Sequence, residues 1–200
     1  MKLHYSPTSP YVRKVMACAI ARGLEGRIEK VATNPHVSPP ELLADNPLSK
    51  VPTLVTDEGK AIFDSPVICE YLDSLGDAPK LFPADPPMRW TALTLQAVAD
   101  GILDAAVGRR MQVSLPQDDG RRTYDARQKA AIDRSLALLE REVAALEGPL
   151  TIGSIAVACA LGYLDFRFGH EPWREAHPKL AAWFAKVSEV PALAQTVPVG

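Results

Sequence analysis

A proline-rich stretch at residues 76–87 limits what this chain can fold into more than any other feature. Its sequence, GDAPKLFPADPP, contains Pro79, Pro83, Pro86 and Pro87. Proline lacks a backbone donor and disfavours the helical conformation in the residue before it, so a helix is not expected to cross these residues. The stretch predicts a linker over residues 78–87, which separates an N-terminal domain at 1–77 from a C-terminal domain at 88–200.

The residues before the linker alternate between strand and helix patterns. A helix is predicted over 12–20, because apolar residues recur there at helical spacing and Gly23 follows. Asp57-Glu58-Gly59-Lys60 predicts a hairpin turn between two strands. The remaining predicted elements are strands at 2–5, 27–31, 52–56 and 61–64, and a helix at 65–75. With an irregular or short helical segment before the third strand, the order is βαβ-α-ββα, which indicates an α+β domain.

The residues after the linker carry helix patterns only. Ile132, Leu136 and Leu139 recur at three- and four-residue spacing with charged residues between them, which is typical of an amphipathic helix. Residues 155–168 are apolar on nearly every side and predict a helix buried in the middle of the domain. Trp183-Phe184 indicates a last helix. The C-terminal domain is therefore expected to be all-α.

Composition excludes several classes of function. The formal net charge is −2, so the chain has no excess of positive charge for binding nucleic acid or an anionic membrane. The longest apolar run, residues 155–164, is about half the length that a bilayer requires. Cys18, Cys69 and Cys159 are far apart, which argues against a disulfide framework or a zinc site and weakly favours a cytoplasmic location.

The sequence Ser9-Pro10-Tyr11-Val12 follows the first predicted strand and opens the first helix. The N–H groups at a helix start favour an anion, and in thiol–disulfide proteins that anion is the protein's own thiolate. Serine cannot form a disulfide, but its hydroxyl can donate a hydrogen bond to a thiolate supplied by a cosubstrate. Taken alone, Ser9 is better explained as an ordinary helix cap, and it is the rest of the N-terminal domain that favours the thiolate site.

Two further motifs in the same domain are suited to binding a peptide or an anion. A cis bond before Pro52 would turn the backbone of Val51 outward for pairing with an extended peptide, although most bonds of this type are trans. Asp64-Ser65 closes the predicted hairpin and opens the helix at 65–75, where a hydroxyl and free N–H groups suit a carboxylate. An edge-strand proline and a plain helix cap are the alternative interpretations.

Over nearly its whole length the chain resembles the cytosolic glutathione transferases. The residues that carry the resemblance are Ser9-Pro10-Tyr11-Val12-Arg13, Asn46-Pro47-Leu48-Ser49-Lys50-Val51-Pro52-Thr53-Leu54 and Phe63-Asp64-Ser65-Pro66-Val67-Ile68. The opening motif is most similar to that of bacterial members of the serine/cysteine type. The resemblance implies a thioredoxin-like N-terminal domain, an all-helical C-terminal domain and a homodimer.

The resemblance also implies roles for individual residues. Ser9 would be the catalytic hydroxyl that stabilises the thiolate of glutathione, which is a cosubstrate here, with no metal required. The remaining glutathione contacts would come from Lys50, Val51 with a cis Pro52, Asp64 and Ser65. A pocket for a small hydrophobic electrophile would be lined by Tyr11, Met111 and Tyr163.

Several alternatives remain open at this stage. Tyr5 and Thr8 are the other candidates for the thiolate-stabilising hydroxyl. The chain could also be a non-catalytic binding or regulatory protein of the same fold, or a glutathione-dependent reductase or peroxidase. One departure from the family pattern lies in Thr151-Ile152-Gly153-Ser154, where serine replaces the usual aspartate of a capping box, so Ser154 can cap the helix but adds no negative charge.

Overall fold

The computed structural model describes residues 1–199, which form two compact units. The first unit is Met1–Pro83 together with residues 190–199, and the second is Ala84–Glu189. The boundary after Pro83 falls within the predicted linker. Residues 190–199 belong to the first unit, whereas the sequence assigned them to the C-terminal domain.

The elements follow the predicted order. The strands are β1 Lys2–Tyr5, β2 Glu29–Ala32, β3 Thr53–Val55 and β4 Ala61–Ile62. The helices are α1 Pro10–Ala21, α2 Pro40–Asp45, α3 Ser65–Ser74, α4 Pro86–Gln112, α5 Asp119–Arg141, α6 Ile152–Phe168, α7 Pro178–Val187 and α8 Pro191–Ala194. Short 3₁₀ helices lie at Glu25–Arg27, Pro35–Val37 and Val143–Leu146. The predicted α+β domain followed by an all-α domain is confirmed.

The first unit is built on a four-stranded sheet with the order β2-β1-β3-β4. β1 runs parallel to β2 and antiparallel to β3, and β3 pairs antiparallel with β4. Leu3 and Leu54 face each other across β1 and β3 and are fully buried, so they mark the centre of this core. β2 begins two residues later than predicted, because a 3₁₀ turn occupies Glu25–Arg27.

The second unit is helical throughout the part of the chain that the structure describes. α6 is buried along most of its length, which confirms the expectation from its all-round apolar sequence. A reciprocal capping box opens this helix: Ser154 N–H donates to Thr151 Oγ1 at 3.2 Å, and Thr151 N–H donates to Ser154 Oγ at 2.9 Å. Serine therefore completes the box in place of the usual acidic residue.

Two physical properties bear on function. Within residues 1–199, every helix is too short or too polar to cross a membrane. The same residues contain no group of three or more His, Cys, Asp or Glu side chains that could hold a metal ion.

Candidate active site

Ser9 lies in the turn between β1 and α1, where it is the N-cap of the helix. Its backbone is extended, with φ −80° and ψ 122°, and its hydroxyl oxygen accepts a hydrogen bond from Val12 N–H at 3.3 Å. Pro10 occupies the first helical turn, where its missing N–H is not needed. Within residues 1–199 the Ser9 hydroxyl donates to no other group, so its proton is available to a ligand at the helix start.

The two alternative hydroxyls lie nearby with different surroundings. Thr8 Oγ1 is 3.5 Å from Ser6 Oγ and is only partly exposed. Tyr5 ends β1, and the Lys30 ammonium group lies 5.4 Å from the centre of its ring. Because Lys30 covers the tyrosine face, a cation–π contact already engages that side chain.

The Val51–Pro52 peptide bond is cis, as the resemblance implies. The Val51 side chain is buried, with 9% of its surface exposed. Its backbone N–H and C=O nevertheless make no hydrogen bond within the described residues. A buried residue with two unpaired backbone groups beside a sheet is suited to pairing with an added extended peptide.

Asn46 holds the turn that leads to Val51. Its buried side chain donates to Lys50 O at 3.2 Å and to Thr53 Oγ1 at 2.9 Å, and accepts from Leu48 N–H at 2.9 Å. Thr53 in turn donates to Lys50 O at 2.9 Å. The Lys50 side chain itself is exposed. Asn46 lies in one of the motifs that carry the family resemblance, but sequence reasoning assigned its side chain no role. The signal that could have indicated the role was an asparagine before a proline-containing turn.

Asp64 and Ser65 form the third part of the site at the start of α3. Asp64 is the N-cap, follows a cis Phe63–Asp64 bond, and accepts a hydrogen bond from Ser65 N–H. Ser65 is 1% exposed, and its hydroxyl has no partner within residues 1–199. A buried hydroxyl without a partner is energetically costly, which makes Ser65 a candidate ligand group.

The sheet brings these three parts to one edge. His4 is the register partner of Thr53, so the end of β1 that leads to Ser9 lies beside the start of β3 that follows Pro52. Leu54 is the partner of Ile62, so the end of β4 that leads to Asp64 lies at the same edge. Antiparallel pairing therefore assembles Ser9, Val51 and Asp64-Ser65 from distant parts of the sequence.

The three residues expected to line an electrophile pocket lie in both units. Tyr11 is the second residue of α1 and is partly exposed. Met111 lies near the end of α4 with 50% of its surface exposed, whereas Tyr163 lies in α6 and is buried. Burial raises the pKa of the Tyr163 phenol above its ordinary value, so this hydroxyl stays protonated and able to donate at neutral pH.

Comparison with known proteins gives consistent matches. Residues 8–75 match the family described as Glutathione S-transferase, N-terminal domain, and residues 121–186 match Glutathione S-transferase, C-terminal domain. The uncharacterized GST-like protein YibF of Escherichia coli K12 is 34% identical over 203 residues, which cover 99% of this chain and 98% of YibF.

Solved structures of a glutathione transferase family member from Pseudomonas fluorescens Pf-5 match over the full chain. The structure with bound glutathione is 41% identical, has a TM-score of 0.93, and is matched over 100% of this chain and 99% of the other. The structure with bound S-(propanoic acid)-glutathione is 40% identical, has a TM-score of 0.90, and is matched over 100% of both chains. With both domain matches, full-length similarity and the same fold, the chain belongs to the glutathione S-transferase family.

Proposed function

We propose that this protein is a glutathione transferase that binds glutathione at the sheet edge of its first unit and directs the thiolate at an electrophilic carbon. The observation that carries the proposal is the convergence of Ser9, Val51 and Ser65 at that edge, each with an unpaired group for a ligand. The glutathione bound by the related Pseudomonas fluorescens protein supports it.

Each part of the site fits one part of the tripeptide. The backbone of Val51 would pair with the cysteinyl residue, in the manner of an added strand. Asp64 and Ser65 would hold the γ-glutamyl end, where the first N–H groups of α3 suit its carboxylate. The exposed Lys50 ammonium would lie near the glycine carboxylate. With these contacts the thiol would point toward the start of α1.

Ser9 is the proposed catalytic residue, ahead of Thr8 and Tyr5. An unperturbed cysteinyl thiol has a pKa of about 8.5, and lowering it by two units requires about 2.7 kcal/mol. A hydrogen bond to a charged group contributes about 1.5–3 kcal/mol and a helix N-terminus about 0.3–1 kcal/mol. Together the Ser9 hydroxyl and the start of α1 would contribute about 1.8–4 kcal/mol, a range that includes the energy required to ionise the thiol without a general base.

The electrophile is proposed to be small and hydrophobic. S-(propanoic acid)-glutathione, bound by the Pseudomonas fluorescens relative, carries a short carbon chain on the sulfur. By analogy, the site of this chain would accept glutathione bearing a substituent on sulfur. Conjugation, isomerisation through an adduct and dehalogenation all share the same activated thiolate.

A homodimer is part of the proposal. The apolar side chains of Leu48 and Trp90 are 59% and 65% exposed and are therefore available to a partner subunit. Light scattering would test the homodimer; a monomer at micromolar concentration would contradict it.

A cytoplasmic location stays a prediction.

The decisive experiment is a titration of bound glutathione followed by the ultraviolet absorbance of its thiolate. Wild-type protein should lower the thiol pKa, and Ser9→Ala should return it toward the free value. Tyr5→Phe and Thr8→Val are matched controls, because each removes one alternative hydroxyl; an effect in either of them instead of in Ser9→Ala would reassign the role.

Turnover assays separate the remaining functions. Conjugation of a broad panel of electrophiles is expected, with little reduction of glutathione mixed disulfides, since the turn has no cysteine. Binding without turnover on any electrophile would indicate a non-catalytic protein of the same fold. Rapid disulfide or peroxide reduction without conjugation would indicate a reductase or peroxidase.

A further inference from the structure

We propose that His4 is a positioning residue for glutathione binding, which ties α2 to the sheet and so holds the turn that presents Val51. This inference rests on the proposed function of the sheet-edge site. His4 lies outside the three motifs that carry the resemblance to the family.

His4 lies on β1 in the centre of the sheet, with 1% of its surface exposed and both ring nitrogens in contact with polar groups. Nε2 is 2.8 Å from Asp45 Oδ2, and Nδ1 is 3.0 Å from Thr33 Oγ1. The Thr33 hydroxyl is also 2.9 Å from Val31 O. A buried side chain with two such contacts fixes the relative positions of the segments that carry its partners.

The chemistry of the two side chains determines which group donates the hydrogen bond between His4 and Asp45. A carboxylate can only accept, so Nε2 carries a proton and donates to Asp45 in either charge state of the ring. Asp45 is the last residue of α2, where a negative charge is unfavourable to the helix dipole. Lys2 Nζ lies 4.0 Å from the same carboxylate oxygen but is 40% exposed, so His4 is the buried partner that holds Asp45.

Asp45 connects directly to the turn before Val51. The next residue, Asn46, is buried and bonds Leu48, Lys50 and Thr53, as described above. Thr53 is also the register partner of His4 across β1 and β3, so the two side chains lie on the same face of the sheet. His4 therefore fixes the start of the turn through Asp45, while Thr53 fixes its end.

A matched pair of substitutions tests the bond to Asp45. His4→Gln keeps an amide N–H near the position of Nε2 and can still reach Asp45. His4→Asn keeps an amide N–H near the position of Nδ1, toward Thr33, but cannot reach Asp45. His4→Asn should raise the Kd for glutathione by about fivefold or more, whereas His4→Gln should stay within about twofold of wild type.

Two readouts separate positioning from a loss of stability. In steady-state assays His4→Asn should raise the KM for glutathione with kcat nearly unchanged, since Ser9 is untouched. Hydrogen exchange of the Leu48 and Ser49 amides, which donate to Asn46, should be faster in ligand-free His4→Asn and unchanged in His4→Gln. Ser154→Ala removes a capping hydrogen bond of α6, so it should destabilise the second unit without touching this network and should leave the Kd for glutathione unchanged.

The outcomes are distinct. Wild-type affinity in both His4 variants would overturn the inference, and so would an equal loss in both, because that would indicate packing rather than the Asp45 bond. Unchanged exchange of the Leu48 and Ser49 amides in His4→Asn would overturn it as well. Failure of the wild-type protein to bind glutathione at millimolar concentration would instead overturn the proposed function on which the inference depends.

Discussion

Ser9 Oγ accepts a hydrogen bond from Val12 N–H at 3.3 Å, and within residues 1–199 its own proton has no acceptor. The same atom therefore caps α1 and remains free to donate outward. A thiolate sulfur at this position would accept the same hydrogen bond from Val12 N–H. The turn between β1 and α1 is thus suited to sulfur chemistry even though it contains no cysteine.

The first prediction is that Ser9→Cys converts the site to covalent chemistry. A cysteine at a helix N-cap has a lowered pKa and forms a reactive thiolate. After incubation with oxidised glutathione, mass spectrometry should detect one added glutathionyl group on Ser9→Cys and none on wild type, whose three cysteines are buried. An unmodified Ser9→Cys protein would show that glutathione sulfur does not reach this turn.

The second prediction is that Ser65→Ala affects the free and the liganded protein in opposite ways. The hydroxyl is buried without a partner, so its removal should leave the stability of the ligand-free protein unchanged or raise it by up to about 1 kcal/mol. The same change should weaken glutathione binding by about tenfold, because a hydrogen bond to a carboxylate is lost.

Thermal melts and calorimetry would check the Ser65→Ala prediction. Exposed Ser74, at the end of the same helix, offers Ser74→Ala as a control that should not change glutathione affinity. Wild-type affinity in Ser65→Ala would exclude its hydroxyl from the site.

The third prediction concerns acid stability. Arg109 donates to Glu171 at 2.6 and 2.9 Å, and these bonds lower the pKa of that carboxyl from its usual 4.5. A depressed folded-state pKa gives stability that is present above about pH 4.5 and is lost as pH falls through the folded value. Glu171→Gln should therefore lower the free energy of unfolding near pH 7 by about 1–2 kcal/mol and flatten the acid side of the stability profile.

Denaturant unfolding from pH 7 to pH 3 would measure the effect of Glu171→Gln. Asp133→Asn is the control, because the Asp133–Lys129 pair is an exposed i,i+4 contact worth about 0.3–0.5 kcal/mol. Parallel pH profiles for wild type and Glu171→Gln would contradict the prediction.

The fourth prediction concerns the close approach of α4 and α6 within the second unit. A Cβ at Gly153 would lie 2.7 Å from Ala92 O and 2.9 Å from Leu95 Cβ. Gly153→Ala should therefore destabilise the protein by about 1–3 kcal/mol through overpacking.

Gly101 offers a matched control for Gly153→Ala. It lies exposed within α4, and a Cβ there would meet nothing within 4 Å. Gly101→Ala should stabilise the protein by about 0.5–1 kcal/mol, because alanine has the higher helix propensity. Equal melting temperatures for the two variants would show that the helices can move apart to accept a methyl group.

Local signals in the sequence predicted most of the elements correctly. Ser9-Pro10 and Ser65-Pro66 marked the starts of α1 and α3, and the apolar pattern of α6 predicted its burial. The boundaries of β2 were less well predicted, and α8 was missed. α8 is four residues long, and Arg13 Nη2 lies 3.4 Å from Leu193 O within it, a contact that spans nearly the whole chain. No local pattern contains that information.

The sequence by itself determined where α1 and α3 begin and that α6 is buried, because caps, prolines and apolar periodicity act over a few residues. It also supplied the hydroxyl at position 9 and the motif around Pro52. Only the tertiary structure decided that Ser9, Val51 and Ser65 lie at one edge of the sheet. It also decided that the His4 side chain contacts Asp45 at the end of α2. The physical reason is that strand register joins residues far apart in the chain, and register depends on the packing of the whole sheet rather than on any one segment.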